Sequence, residues 1–305
     1  HSVQGCSRQF YLFLYLPYCL IKRFVFGILD SNRVLLPYIM NACLSLRHKN
    51  PEHIYGNRPL DNQFKIKKTG NSYILYDASI LDDPSLQLFD CDYHTNSRNR
   101  QNNSALPPDK GVGRAKVIYF SNDNKRLVLK HYYRGGLVAS LVKDRYLGFN
   151  IERTRAFREW RLLKSMHQLG LPVPVAVAAR VEKGLFYYRA DLITGEIENV
   201  KTLAERLSAQ GIDESLWQKI GACIKLFHRK NIYHADLNAR NILVADTEAV
   251  YLIDFDNSYF RAESASWKMA NLARLKRSLL KFKKNTAGFN FSENNWTAFL
   301  EGYEG

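Results

Sequence analysis

Three polar residues in the second half of the chain have types and spacing that suit phosphate chemistry. Asp236 and Asn241 lie in the stretch YHADLNARNILV, and Asp254 follows in YLIDFD. The apolar runs between them predict a short hairpin, which would bring Asp254 back beside Asn241. Because Mg²⁺ takes oxygen ligands, we interpret Asn241 and Asp254 as metal ligands. Asp236 is then free to orient and deprotonate an attacking hydroxyl, while His234 is expected to bond nearby backbone and hold the loop in shape.

Four further residues could belong to a site for an anionic ligand, although each also has an ordinary structural explanation. Gly111 and Gly113 in GVGRA precede a predicted strand, and small residues let backbone N–H groups approach a phosphate; the same pattern is typical of a plain turn. Lys130 ends the strand-like run RLVLK, where a lysine is commonly a solvated edge residue. Glu159 lies within a predicted helix, where it could pair with Arg155.

Regular elements that could position these residues begin at about residue 111. GRAKVIYFSNDNKRLVLKHYY predicts a hairpin, and RTRAFREWRLLKSMHQLG predicts an amphipathic helix that ends at Gly170. Two more strands around EKG follow, then two helices, the hairpin that carries Asp254, and a basic helical region over 264–300. The order predicts an α+β fold with a small β-rich lobe containing one helix, followed by a mainly helical lobe.

The region ahead of the hairpin is less regular. An apolar stretch at 10–29 is uninterrupted for about twelve residues, short of the roughly 20 that span a bilayer. We expect residues 1–60 to be an N-terminal extension, at most weakly membrane-associated, ahead of an N-lobe at 61–195 and a C-lobe at 196–305. Within 61–110 the sequence predicts one strand, SYILYDASI, and a polar loop over 97–112.

Composition limits the partners of the chain. Its 305 residues are 46% hydrophobic and carry a formal net charge of +15, which predicts attraction to anions such as nucleic acid, an acidic membrane face or phosphorylated substrates. No nucleic-acid motif appears, so a nucleic-acid partner is not expected. The five cysteines include no C-x-x-C pair, so neither a disulfide framework nor a zinc site is predicted, and Cys223 is expected in the core.

The pattern D-x-x-x-x-N, an apolar strand and then I-D-F resembles the protein-kinase-like phosphotransferases over about residues 111–260. The resemblance implies a bilobal fold that uses ATP and Mg²⁺, with Asp236 as the catalytic aspartate and Asn241 and Asp254 as the metal ligands. It also implies that Lys130 holds the ATP phosphates and pairs with Glu159. GVGRA, with Gly111 and Gly113, would be the glycine-rich phosphate loop.

Departures from the protein-kinase pattern indicate the branch. Ala235 stands where protein kinases have Arg, Asn238 where they have Lys, and Asp256 where they have the Gly of D-F-G. More narrowly, YHADLNARNIL with LIDFD resembles the lipopolysaccharide core kinases, in particular the Kdo kinases. That resemblance implies ATP-dependent phosphorylation of the 4-hydroxyl of Kdo on Kdo-lipid A, an anionic glycolipid, at the cytoplasmic face of the bacterial inner membrane. The alternatives are another small-molecule, heptose or protein kinase of the superfamily, or a membrane-binding pseudokinase.

Basic residues suggest a peripheral contact with that membrane. Arg274, Arg277, Lys281 and Lys284, here called the basic stripe, share one face if 264–300 is helical. A second group combines basic with apolar or aromatic side chains, namely Arg134, Lys143 and Arg145 with Tyr132, Tyr133, Leu137 and Leu141. Such surfaces suit anionic lipid, at about 1 kcal/mol per cation. A merely solvated basic face is an equally good interpretation, and the sequence predicts no oligomeric state.

Overall fold

The computed structural model of the chain describes residues 64–100, 115–132, 146–147, 150–184 and 187–305, all in one compact unit. The predicted N-terminal extension and the predicted glycine loop, with Gly111 and Gly113, lie outside these residues. So do Arg134, Lys143 and Arg145 of the second basic group. The lobe boundaries at 61, 195 and 305 stay predictions.

An antiparallel sheet occupies the first part of the described chain. Its strands run in the order β1-β2-β6-β7-β4-β3, and β5 pairs with β7. Their bounds are β1 Phe64–Thr69, β2 Ser72–Asp77, β3 Ala115–Asn122, β4 Lys125–Tyr132, β5 Tyr146–Leu147, β6 Ala176–Lys183 and β7 Tyr187–Gly195. A smaller sheet, β11-β10-β8, and the pair β12-β9 follow. These strands are β8 Val200–Thr202, β9 Ile232–Tyr233, β10 Ile242–Ala245, β11 Val250–Leu252 and β12 Tyr259–Phe260.

Helices dominate the rest. The described residues form α1 Cys91–Arg100, α2 Arg155–Gln168, α3 Leu203–Ala209, α4 Glu214–Arg229, α5 Ala265–Asn285 and α6 Glu293–Glu304. Only α1 and α2 accompany the large sheet in sequence, while the other four follow it. The predicted α+β, protein-kinase-like bilobal fold, with a β-rich first part and a mainly helical second part, is confirmed. None of the helices formed by the described residues is long and apolar enough to cross a membrane.

The predicted hairpin before Lys130 is confirmed as β3 and β4. Its two-residue turn, Asp123 and Asn124, has positive φ at both positions, 47° and 60°, which matches the right-handed twist of the strands. Side chains alternate along β4, so Leu127 and Leu129 enter one hydrophobic cluster and Tyr132 enters the other. Lys130 shares the face of Tyr132, which is the face that α2 covers.

The predicted amphipathic helix is α2. Its apolar stripe, Phe157, Trp160, Leu163 and Met166, is buried against the sheet, and Gly170, with φ of 70°, follows its end. The same buried side of the helix carries Glu159. A carboxylate on the core-facing side of a helix requires a partner, which the sheet provides.

The prediction for residues 61–110 was incomplete. The strand SYILYDASI is β2, but a further strand, β1, precedes it, and a helix, α1, takes up positions 97–100 of the region read as a loop. β1 is short and exposed at Ile66, so its alternation is weak. α1 is polar throughout, and its start was detectable only from Asp90, whose Oδ1 accepts hydrogen bonds from the backbone N–H groups of Asp92 and Tyr93.

Candidate active site

Lys130 lies between two carboxylates that come from different elements. Its Nζ is 3.1 Å from both Oε atoms of Glu159 on α2 and 2.6 Å from Oδ1 of Asp254 after β11. Burial alone would lower the pKa of Lys130, but the two carboxylates outweigh it and raise the pKa. Burial likewise opposes ionisation of Asp254, yet the Lys130 ammonium holds the pKa of that carboxyl below its usual value. Lys130 and Asp254 are therefore both charged at neutral pH.

Tyr132 supports this arrangement, and sequence reasoning missed its role. The hydroxyl donates to Oε2 of Glu159 at 2.6 Å, and the ring is 2% exposed. Lys130 Nζ lies 4.8 Å from the centre of the same ring. Burial, together with the Glu159 carboxylate, raises the pKa of Tyr132 well above its ordinary value, so the hydroxyl keeps its proton and remains a donor. The i, i+2 spacing from Lys130 on one strand face was the available signal.

A second ion pair ties the start of α2 to the turn that carries Asp254. Arg155 Nε donates to Oδ1 of Asp256 at 2.7 Å, and its guanidinium lies 5.3 Å from the centre of the Tyr132 ring. Both charged side chains are mostly buried, with 21% and 17% exposure. Asp256, which replaces the usual glycine, thus fixes α2 against the turn. Glu159, for which Arg155 was the alternative partner, faces the sheet and pairs with Lys130 and Tyr132.

The loop 234–241 is held in shape by His234, as predicted. The backbone N–H of Asp236 donates to Nδ1 of His234 at 3.1 Å, so Nε2 carries the proton and donates to the carbonyl of Ile253 at 3.0 Å. Burial lowers the pKa of His234, which favours this neutral tautomer. Phe255 packs on the imidazole, with ring centres 4.7 Å apart. The same histidine thus connects the loop with the segment that precedes Asp254.

The amide of Asn241 is oriented within the same loop. Its Nδ2 donates to the carbonyl of Asp236 at 2.9 Å, and the backbone N–H of Ile253 donates to the carbonyl of Asn241 at 3.0 Å. Ile242 pairs with Leu252 in the antiparallel ladder of β10 and β11, as the predicted hairpin requires. Asn241 therefore lies opposite the residue before Asp254.

Three residues of α5, spaced by three and four positions, contact the loop 234–241. The pairs are Asn271 with His234, Arg274 with Asp236, and Ser278 with Ala239. Arg274 Nη1 donates to Oδ1 of Asp236 at 2.9 Å, and Asn271 exchanges two hydrogen bonds with the backbone of His234. Since this spacing follows one face of a helix, α5 lies along the loop for two turns. The predicted face of α5 was basic, but its contact with Asp236 was not foreseen.

The chemistry of these side chains fits a divalent cation. The described residues contain no cluster of three or more His, Cys, Asp or Glu side chains able to hold a metal alone. Asn241 Oδ1 and Asp254 Oδ2, however, accept no hydrogen bond from any described residue, and both are hard oxygen donors. Mg²⁺ uses one or two such protein ligands and completes its shell with phosphate oxygens and water.

Comparison with known proteins gives a consistent result. The model of the Lipopolysaccharide kinase (Kdo/WaaP) family matches residues 109–303. A Vibrio vulnificus protein named 3-deoxy-D-manno-octulosonic acid kinase is 38% identical over 236 residues, which cover 77% of this chain and 96% of the relative. Proteins with that name from Haemophilus influenzae and Actinobacillus succinogenes are 42% and 44% identical over 64% and 58% of the chain, and 85% and 74% of their own lengths.

The family match spans more than half of the chain, including every described residue of the site. It also agrees with the confirmed fold and with the kinase-like order of Lys130, Glu159, Asp236, Asn241 and Asp254. A kinase of this family transfers phosphate to a hydroxyl group, with ATP as the donor. The chain belongs to the Lipopolysaccharide kinase (Kdo/WaaP) family.

Proposed function

We propose that the chain phosphorylates the 4-hydroxyl of Kdo on Kdo-lipid A, with ATP as the donor and Mg²⁺ as the metal. The observation that carries this proposal is the ion-paired group of Lys130, Glu159 and Asp254 beside the loop that presents Asp236 and Asn241. The acceptor comes from the relatives, which are named as kinases of 3-deoxy-D-manno-octulosonic acid.

In this mechanism the γ-phosphoryl group passes directly from ATP to the sugar hydroxyl. Lys130, fixed by Glu159 and Tyr132, orients the α- and β-phosphates. Asp236 positions the hydroxyl and accepts its proton late in the transfer. Asn241 and Asp254 would hold Mg²⁺, which neutralises charge on the phosphates when it is bound. When ATP enters, Lys130 exchanges its contact with Asp254 for one with phosphate and keeps its contact with Glu159.

We also propose that the chain docks peripherally on the cytoplasmic face of the inner membrane, where the lipid acceptor lies. Arg277, Lys281 and Lys284 are exposed on α5 and have no carboxylate partner among the described residues. At about 1 kcal/mol per cation, three such residues give reversible binding to anionic lipid. Sedimentation with vesicles should show binding that needs phosphatidylglycerol and falls with salt. Substituting all three by Gln should weaken it, and equal binding to neutral vesicles would contradict the proposal.

The test of the reaction is transfer of radiolabel from [γ-³²P]ATP to purified Kdo-lipid A. We expect transfer by the unaltered chain and none above background by Asp236→Asn, which keeps the size of the side chain. Nucleotide affinity, measured separately, should be nearly unchanged in this variant. Transfer to a heptose-containing acceptor or to protein, but not to Kdo-lipid A, would overturn the assigned acceptor. Near-normal activity of Asp236→Asn would overturn the assigned base.

A further inference from the structure

Arg274 connects the basic stripe of α5 with the proposed catalytic base. Its Nη1 lies 2.9 Å from Oδ1 of Asp236, and the two side chains are 44% and 58% exposed. An exposed ion pair of this kind contributes only about 0–1 kcal/mol, so it opens at little cost. The other donors of the guanidinium have no partner in the part of the chain that the structure describes. Arg274 is therefore available to a ligand bound at Asp236.

The rest of the stripe adds positive charge without compensation. Of the three basic residues of α5 that lie off the stripe, two have acidic partners: Lys268 pairs with Glu263 at 2.9 Å and Lys276 with Glu293 at 2.7 Å. The three stripe residues beyond Arg274 have no such partner among the described side chains; they are Arg277, Lys281 and Lys284. The side of Asp236 that faces α5 is thus the cationic side of the site, suited to an anionic acceptor.

We propose that Arg274 binds the carboxylate of the acidic sugar while Asp236 positions the hydroxyl of the same sugar. This inference rests on the proposed function, because Kdo is a sugar acid. Its carboxylate and its 4-hydroxyl belong to the same ring, so a hydroxyl at Asp236 brings a second negative charge close to that residue. The sugar carboxylate and the Asp236 carboxylate then repel each other unless a cation lies between them. A guanidinium bonded to Asp236 supplies that cation and offers a planar fork that matches a carboxylate.

The register of α5 gives this guanidinium a fixed position. Asn271 and Ser278, one turn to either side of Arg274, are hydrogen-bonded to the loop 234–241. Arg274 therefore moves with Asp236 rather than independently of it. This coupling suits a group that must place one part of a sugar while Asp236 places another.

The test compares acceptor kinetics of Arg274→Gln and Arg274→Lys with those of the unaltered chain. A lost hydrogen-bonded charge pair predicts a rise of about tenfold or more in the KM for Kdo-lipid A in Arg274→Gln, with the KM for ATP unchanged. Arg274→Lys, which keeps the charge but not the fork, should lie between. Lys283→Gln removes an exposed charge from another face of the same helix and serves as the matched control, with both KM values unchanged.

A second acceptor separates direct recognition from an effect through Asp236. With the sugar carboxylate converted to its methyl ester, the acceptor KM of the unaltered chain should rise by about the same factor as the Arg274→Gln substitution raises it for the free acid. The acceptor KM of Arg274→Gln should not change further on esterification. An equal rise in acceptor KM for both proteins on esterification would overturn the inference. So would a raised acceptor KM in Arg274→Gln that returns to normal only when the lipid phosphates are removed. Absence of any transfer to Kdo-lipid A by the unaltered chain would instead overturn the proposed function, and this inference with it.

Discussion

The hydroxyl of Tyr132 offers a sharp test of how the nucleotide side of the site is built. Replacing Tyr132 by Phe keeps the ring, and with it the contacts to Lys130 and Arg155, but removes the 2.6 Å hydrogen bond to Glu159. A hydrogen bond to a charged group contributes about 1.5–3 kcal/mol, and water cannot readily replace a hydroxyl on a side chain that is 2% exposed. Lys130 still pairs with Glu159, so the expected loss of binding free energy for ATP is smaller, about 1–2 kcal/mol.

In an assay of phosphate transfer, that loss corresponds to a rise of about 5–30-fold in the KM for ATP, with the acceptor KM unchanged. Tyr76→Phe is the matched control, because Tyr76 is also buried but lies in the other hydrophobic cluster, away from Glu159. The control should leave the ATP KM unchanged. An unchanged ATP KM in Tyr132→Phe, or an equal rise in both variants, would show that the hydroxyl does not hold Glu159 and Lys130 in place.

Three further outcomes follow from contacts away from the reacting groups. Arg155→Gln and Asp256→Asn should each weaken ATP binding. The loss in the double variant should be smaller than the sum of the two single losses, since both break the same pair, and additive losses would refute the coupling. Gly221→Ala should lower the free energy of unfolding by about 1–3 kcal/mol, measured by urea denaturation, because a Cβ there would collide with the backbone of Phe299 on α6. Burial lowers the pKa of His228 from 6.5 to about 4, so between those pH values only the unfolded chain binds this proton. The free energy of unfolding should therefore fall by about 3 kcal/mol as the pH is lowered through that range. His228→Gln should reduce the accompanying fall in melting temperature between pH 7 and 5.

The elements that carry strong periodicity were predictable from the sequence. The apolar stripe of α2 and the alternation of β4 each identify one face, and those faces are the ones that bury Glu159 and present Lys130. Asp236, Asn241 and Asp254 could be brought together because a short hairpin leaves few arrangements for its two ends. In each case the information lies within a few residues of the feature it determines.

Contacts between distant segments were not predictable in this way. Arg274 and Asp236 are 38 positions apart, and Arg155 and Asp256 are 101 apart, so neither pair has a local signal. The sequence showed that α5 is basic on one face, but which residue of that face reaches the loop depends on how the helix packs against the loop 234–241, to which Asn271 and Ser278 are hydrogen-bonded. Tyr132 was missed for a different reason: the sequence placed it in a surface group suited to anionic lipid, and this was wrong, because Tyr132 is buried beside Glu159.

The separation between the two sides of Asp236 has a consequence for how specificity could change in this family. The sheet, α2 and the turn with Asp254 hold Lys130, whereas a different helix, α5, contacts Asp236 through Arg274. Exposed positions of α5 can therefore be exchanged between relatives without disturbing the phosphate donor. If Arg274 binds the acceptor as proposed, a chimaera that grafts this face onto another family member is expected to transfer acceptor preference and to leave ATP use unchanged, so α5 is the unit to redesign toward other acidic sugars.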